Sequence, residues 1–83
     1  MQQTARTPKQ VGEILHRTRR ALHISQSALG EKSGLWQETI SRVEKGSPGT
    51  KLETLFDLLA ALDLEVVIQP RRKNKISKMG AIF

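Results

Sequence analysis

The sequence predicts a small, mostly α domain. Four helices are expected, the middle two forming a helix-turn-helix, with one strand after the last. Three observations carry this. Between Ser25 and Gly46, two short helical stretches lie either side of Ser33-Gly34. Capped apolar stripes flank that stretch on both sides. Leu64 to Gln69 then alternates with β-branched residues up to Pro70, which is a strand signal.

Composition bounds the rest. Eighty-three residues make one domain with a single modest core. The absence of cysteine removes disulfides, thiolate metal sites and a thiolate nucleophile, and fits a reducing compartment. No apolar run approaches the roughly 20 residues of a membrane span, and no signal-peptide core follows Met1. A soluble, cytoplasmic chain is expected, with no membrane partner. Residues 1–50 hold eight Lys/Arg against four Asp/Glu, residues 51–69 one against four, and residues 70–83 five against none. A basic first half suits a polyanion partner; a solvated basic surface is the plainer alternative.

Residues 1–7 read as a flexible arm. Thr7-Pro8-Lys9-Gln10 opens the first helix with an N-cap, a proline at the first position and a capping-box glutamine. That helix is expected over Pro8–Leu22, with Val11, Ile14, Leu15, Thr18 and Leu22 turned inward. Ser25 N-caps a short helix over Gln26–Lys32, and Gly34 supplies the left-handed residue that ends it. A second helix, Trp36–Lys45, stops at Gly46. Leu29, Leu35, Ile40 and Val43 are its apolar support, and Gln37, Glu38, Ser41, Arg42 and Lys45 form its outer face.

Ser47-Pro48-Gly49 is a loop. Thr50-Lys51-Leu52-Glu53 reads as a second capping box, opening a helix striped by Leu52, Leu55, Phe56, Leu59 and Leu62, with Leu58 beside them. Each leucine fully buried there contributes about 1.5–3 kcal/mol in transfer terms. The strand over Leu64, Val66, Val67 and Ile68 has no second strand to pair with. A lone strand leaves its backbone groups unpaired. Pairing with a second copy in a twofold dimer resolves this most simply; packing on the chain's own helices is the other solution. Domain boundaries are expected at 8–69, with residues 70–83 a basic, flexible tail whose Ile82 and Phe83 could dock on a partner.

With these elements in place, residues 8–62 resemble the Cro/C1-type (XRE) helix-turn-helix family. Leu22-x-x-Ser25-Gln26, Leu29, Gly34, Thr39-Ile40-Ser41 and Glu44-x-Gly46 carry the resemblance. The added strand makes the chain similar to HipB-type antitoxins within that family. The resemblance implies a four-helix, lambda-repressor-like fold whose C-terminal strand pairs across a dimer. It also implies a sequence-specific repressor on palindromic double-stranded DNA that partners a toxin of the HipA kinase type. A phage-type or chromosomal regulator without a toxin is the alternative, as is an interaction module with only non-specific DNA binding.

By the same resemblance, Trp36, Gln37, Glu38, Ser41 and Arg42 take base-facing positions. Gln37 suits adenine, Arg42 guanine and Glu38 the cytosine amino group. Gln26 matches the family's phosphate-contacting glutamine, at a helix start whose amides also face the backbone. Ser25 and Thr39 are further phosphate contacts, and Arg20, Lys32, Lys45 and Lys51 are candidate phosphate neighbours, a solvated face being the alternative for each. Trp36 departs from the small or polar residue usual in the family; packing on the domain is preferred, a wedge against thymine methyls or a sugar the alternative. Ser33 departs from an apolar position. Arg19 and Glu44 match a structural ion pair tying the first helix to the recognition helix.

Nothing in the sequence suggests an enzyme. There is no Gly-rich phosphate loop, His16 and His23 lack metal-ligand spacing, and neither Ser25 nor Ser41 has a neighbouring base. Neither cofactor nor metal is expected, and both histidines are expected to take surface or capping roles.

Overall fold

The computed structural model describes residues 2–71. Four helices follow in order: α1 (Pro8–Ala21), α2 (Gln26–Ser33), α3 (Gln37–Glu44) and α4 (Leu52–Ala61). α1 packs on α3, α3 on α2 and α2 on α4. Each helix sends one fully buried residue to the centre: Leu15, Leu29, Ile40 and Leu58. Val43, Leu59, Ala61 and Leu62 complete the core, and Val11, Ile24, Leu35, Leu55 and Leu64 pack against it.

Local chemistry sets the helix ends. The Thr7 hydroxyl accepts from the Gln10 amide N–H at 3.0 Å, as its sequence position predicts. The Gln10 side chain, however, accepts from the Arg6 N–H instead of closing the box on Thr7. Ser25 caps α2 by accepting from Ala28 N at 3.0 Å. The second capping box does not form. Thr50 gives its hydroxyl to the Ser47 carbonyl at 3.2 Å, so Lys51 becomes the N-cap of α4 with no side-chain bond. Trp36 likewise sits outside α3, at its N-cap.

Two chain reversals use residues other than glycine. His23 and Asp63 both adopt left-handed backbone, at φ of 59° and 60°. Each follows a helix, and the next amide reaches back across the turn: Ile24 N to Arg19 O at 3.2 Å, and Leu64 N to Leu59 O at 2.8 Å. This is the Schellman arrangement, which favours glycine. Gly34 takes the same conformation at φ 78° where the sequence expects it. Ser33 is half-buried, and its hydroxyl accepts from Leu35 N at 3.3 Å, so the polar departure has a use in the turn.

The apolar stripe of α4 is only partly buried. Leu55, Leu58, Leu59 and Leu62 face the core, whereas Leu52 is 69% exposed and Phe56 more than half exposed. A stripe this wide needs more cover than the described residues supply, since the main helix packing on α4 is α2. Leu22, expected inside, is also half exposed.

No strand is present among the described residues. Leu64 packs on the core, but Val66, Val67 and Ile68 project into solvent, Ile68 at 95% exposure. A strand exists by pairing, and none of the described residues offers residues 64–69 an edge. Ile82 and Phe83 lie outside the described residues. No helix among the described residues is long and apolar enough to cross a membrane.

Candidate nucleic-acid interface

The interface is built on α3, which has two unlike faces. Ile40, Val43 and Glu44 point inward and are buried. Gln37, Glu38 and Arg42 are exposed, Ser41 and Thr39 are half-buried, and Lys45 is exposed just past the helix. Positions 37, 38, 41, 42 and 45 fall on one side at helical spacing, so five polar side chains share one surface. Trp36 leads into that surface at 81% exposure. The expected packing of Trp36 on the domain is therefore not made: at an N-cap outside the helix, its ring has no core face to meet.

The inner face is fixed by one carboxylate. Glu44 Oε2 accepts from Arg19 Nε at 2.7 Å, and Oε1 accepts from Arg19 Nη2 at 3.1 Å. Both residues are buried, and the fork geometry is the strong form of the pair. Arg19 Nη1 also donates to the Ile24 carbonyl at 2.8 Å, tying the α1–α2 turn into the same unit. An Arg19–Glu44 ion pair thus joins α1 to α3. Burial pushes the Glu44 carboxyl up, but the Arg19, His16 and Gln26 hydrogen bonds and the Arg19 charge outweigh it. The net effect holds Glu44 below its ordinary value.

The clamp has two further members. Gln26 Nε2 donates to Glu44 Oε1 at 3.1 Å, and His16 Nδ1 lies 3.0 Å from the same oxygen. Gln26, matched to a phosphate contact, is thus held in place by α3 while its amide keeps a second N–H. Sequence reasoning missed His16. The available signal was its position three before Arg19, which puts both on one face of α1.

The close approach of α1 to α3 was also missed. A Cβ on Gly12 would lie 2.5 Å from the Val43 carbonyl oxygen and 2.7 Å from that of Glu44. Only glycine lets the two backbones come this near.

The other phosphate candidates are dispersed. Thr39 and Lys51 line, together with the base-facing candidate Arg42, one cleft of about 250 Å³ between α3 and the start of α4. Ser25 is exposed but engaged as a cap, and Arg20 and Lys32 are exposed on α1 and α2. Among the described residues, no cluster of His, Cys, Asp or Glu could hold a metal ion.

Comparison with known proteins agrees with this geometry. The helix-turn-helix family model matches residues 15–68, and the chain belongs to that Cro/C1-type family of DNA-binding regulators. It is 39% identical over 62 residues to an uncharacterised HTH-type transcriptional regulator, y4dL, of Sinorhizobium fredii, covering 75% of this chain and 32% of that one. A second such regulator, from Haemophilus influenzae, is 46% identical over 55 residues, 66% of this chain and 56% of its own. The chain thus spans a third to just over half of these curated relatives.

Among solved structures, HipB in its O4 20-mer complex is similar at TM-score 0.81 and 30% identity, over 86% of this chain and all of the other. HipB in the HipA-HipB-O2-O3 complex is similar at TM-score 0.80, with the same identity and coverage. The restriction-modification controller protein C.AhdI of Aeromonas hydrophila is similar at TM-score 0.65 and 33% identity, over 70% of this chain and 88% of its own.

Proposed function

We propose that this protein is a sequence-specific, homodimeric DNA-binding repressor that reads a palindromic operator with α3. The carrying observation is the contrast within α3: a polar outer face of Gln37, Glu38, Ser41 and Arg42 on a helix clamped by Glu44. Arg42 reads guanine, Gln37 adenine, and Glu38 a cytosine amino group. Trp36, exposed beside them, wedges against a thymine methyl or a sugar. Ser25, Gln26, Thr39, Arg20, Lys45 and Lys51 lie along the backbone. The protein acts by binding, not catalysis, and works in the cytoplasm.

The dimer is supported by the exposed Val66, Val67 and Ile68 and by Leu52 and Phe56. Paired strands over residues 64–69 would satisfy the backbone groups that one chain leaves open. The likeness to HipB, solved with HipA, supports a further role as the antitoxin of a HipA-type kinase. The likeness to a restriction-modification controller favours a second reading, a regulator without a toxin. Co-purification of a kinase-like product of the adjacent gene decides for the antitoxin; its absence decides for the second reading.

Competition with bulk genomic DNA tests the repressor. A selected operator is expected to stay bound in excess competitor, and loss of all preference contradicts the proposal. Within that assay, Arg42→Ala is expected to relax preference at one base pair by about 1–3 kcal/mol. An unchanged selected sequence would remove Arg42 from the reading face.

A further inference from the structure

We infer that residues 72–83 of one copy dock on the outer face of α4 in the other, covering Leu52 and Phe56. This rests on the strand-paired dimer proposed above and names a surface that completes it. Leu52, Glu53, Phe56, Asp57 and Ala60 recur at helical spacing and are all exposed. One face of α4 is thus both apolar and acidic. Asp63 and Glu65 follow it, exposed as well. None of these four acids forms an ion pair within the described residues, and Lys51 is the only Lys or Arg in residues 51–69.

The following stretch is the complement in sign and in order. Arg71, Arg72, Lys73, Lys75 and Lys78 come first with no acid among them, and Met79, Ile82 and Phe83 come after. Followed backward, the surface presents Glu65 and Asp63, then Asp57 beside Phe56, then Glu53 beside Leu52. Exposed ion pairs are weak one at a time. The cations therefore steer the segment, and the apolar residues anchor it by leaving water.

The pairing geometry chooses the partner's α4 over the chain's own. In a twofold antiparallel pair over residues 64–69, Gln69 of one copy faces the partner's Leu64. Leu64 packs on the core, and its N–H is bonded to the Leu59 carbonyl of α4 at 2.8 Å. A chain leaving Gln69 thus emerges beside the last turn of the partner's α4. Its own α4 lies a strand length, about 20 Å, back along the ladder. Residues 72–83 span up to about 40 Å, and the 10 residues of α4 about 15 Å. The segment is long enough to follow the whole face.

The test uses the full chain, whose lack of cysteine lets Gly80→Cys carry a single nitroxide spin label. Mixed dimers are made from isotope-labelled wild type and unlabelled, spin-labelled Gly80→Cys. The amide NMR signals of Leu52, Glu53, Phe56 and Asp57 are expected to broaden more than those of α1. A second mixture puts both labels on one chain and dilutes it with excess unlabelled wild type. Broadening of α4 there and not in the first mixture means docking within one copy, and overturns the inference. Sharp α4 signals in both, with dimers by sedimentation, overturn the inference and leave the dimer standing. Monomers at every concentration overturn the dimer reading, and the inference with it. Lys73→Glu, Lys75→Glu and Lys78→Glu together in the spin-labelled chain are expected to abolish the broadening. Broadening that survives this reversal overturns the charge-matched docking.

Discussion

Residues 8–46 and residues 50–71 are built to different degrees of completion. In the first region the buried polar and apolar groups find partners inside one chain, although Leu22 and Trp36 stay exposed. Arg19, His16 and Gln26 converge on Glu44, and Leu15, Leu29 and Ile40 are sealed. The second region leaves Leu52, Phe56, Val66, Val67 and Ile68 in solvent. Leu52 and Phe56 lie one turn apart on α4, and contiguous exposed apolar surface is a mark of interaction sites. The difference teaches that the two regions share one core, but the first carries its own buried polar clamp whereas the second leaves apolar surface that the proposed second copy would cover.

The sharpest way to break the first region is Glu44→Gln, which strands a buried Arg19. Removing one partner of a buried pair is expected to lower stability by about 3–5 kcal/mol, measured by urea unfolding. The wild type carries a matching pH signature. Because Glu44 titrates below its ordinary value of 4.5 in the folded state, its contribution is complete above that value. It is lost as pH falls through the lowered folded value. Glu44→Gln is expected to flatten that acid limb of the stability profile; an unchanged limb would assign it to other carboxylates.

Gly12→Ala comes next. A better helix former gains about 1 kcal/mol by propensity, but here its Cβ meets two backbone carbonyls that cannot rotate away. Overpacking is expected to win, with a net loss of about 2–3 kcal/mol. A stabilised variant would mean that α1 and α3 tolerate separation.

The second region is tested by Val67→Pro. Each copy of the proposed dimer would lose a ladder bond worth about 1 kcal/mol, so self-association is expected to weaken at least about tenfold. Sedimentation reads the monomer, and circular dichroism is expected to show unaltered helices. Unchanged dimers would exclude strand pairing at that site. The smallest effect belongs to Asp63→Gly, which relieves left-handed backbone at φ 60°. A gain of about 0.5 kcal/mol is expected, visible as a thermal midpoint a few degrees higher.

Much of the reading unit was legible in the sequence because its signals are local. Ser25 and Gly34 specify caps by their own chemistry, and helical spacing alone sorts Ile40 and Val43 from Gln37, Ser41 and Arg42. Family resemblance identified the Arg19–Glu44 pair. His16 was missed because its role depends on a carboxylate 28 residues away. Gly12 was missed because a close backbone approach leaves no mark on periodicity. The apolar stripe of α4 was read as wholly core, since periodicity counts apolar residues but not the neighbours available to cover them. The same limit applies to Val66–Ile68, whose alternation is plain while no described residue pairs with them.

Selection of bound duplexes from a random-sequence pool tests the central claim most directly. The proposed dimer predicts an enriched inverted repeat, its half-sites centred one helical turn apart or a multiple of it. Enrichment of no sequence, or of a single half-site without its inverted mate, would contradict it.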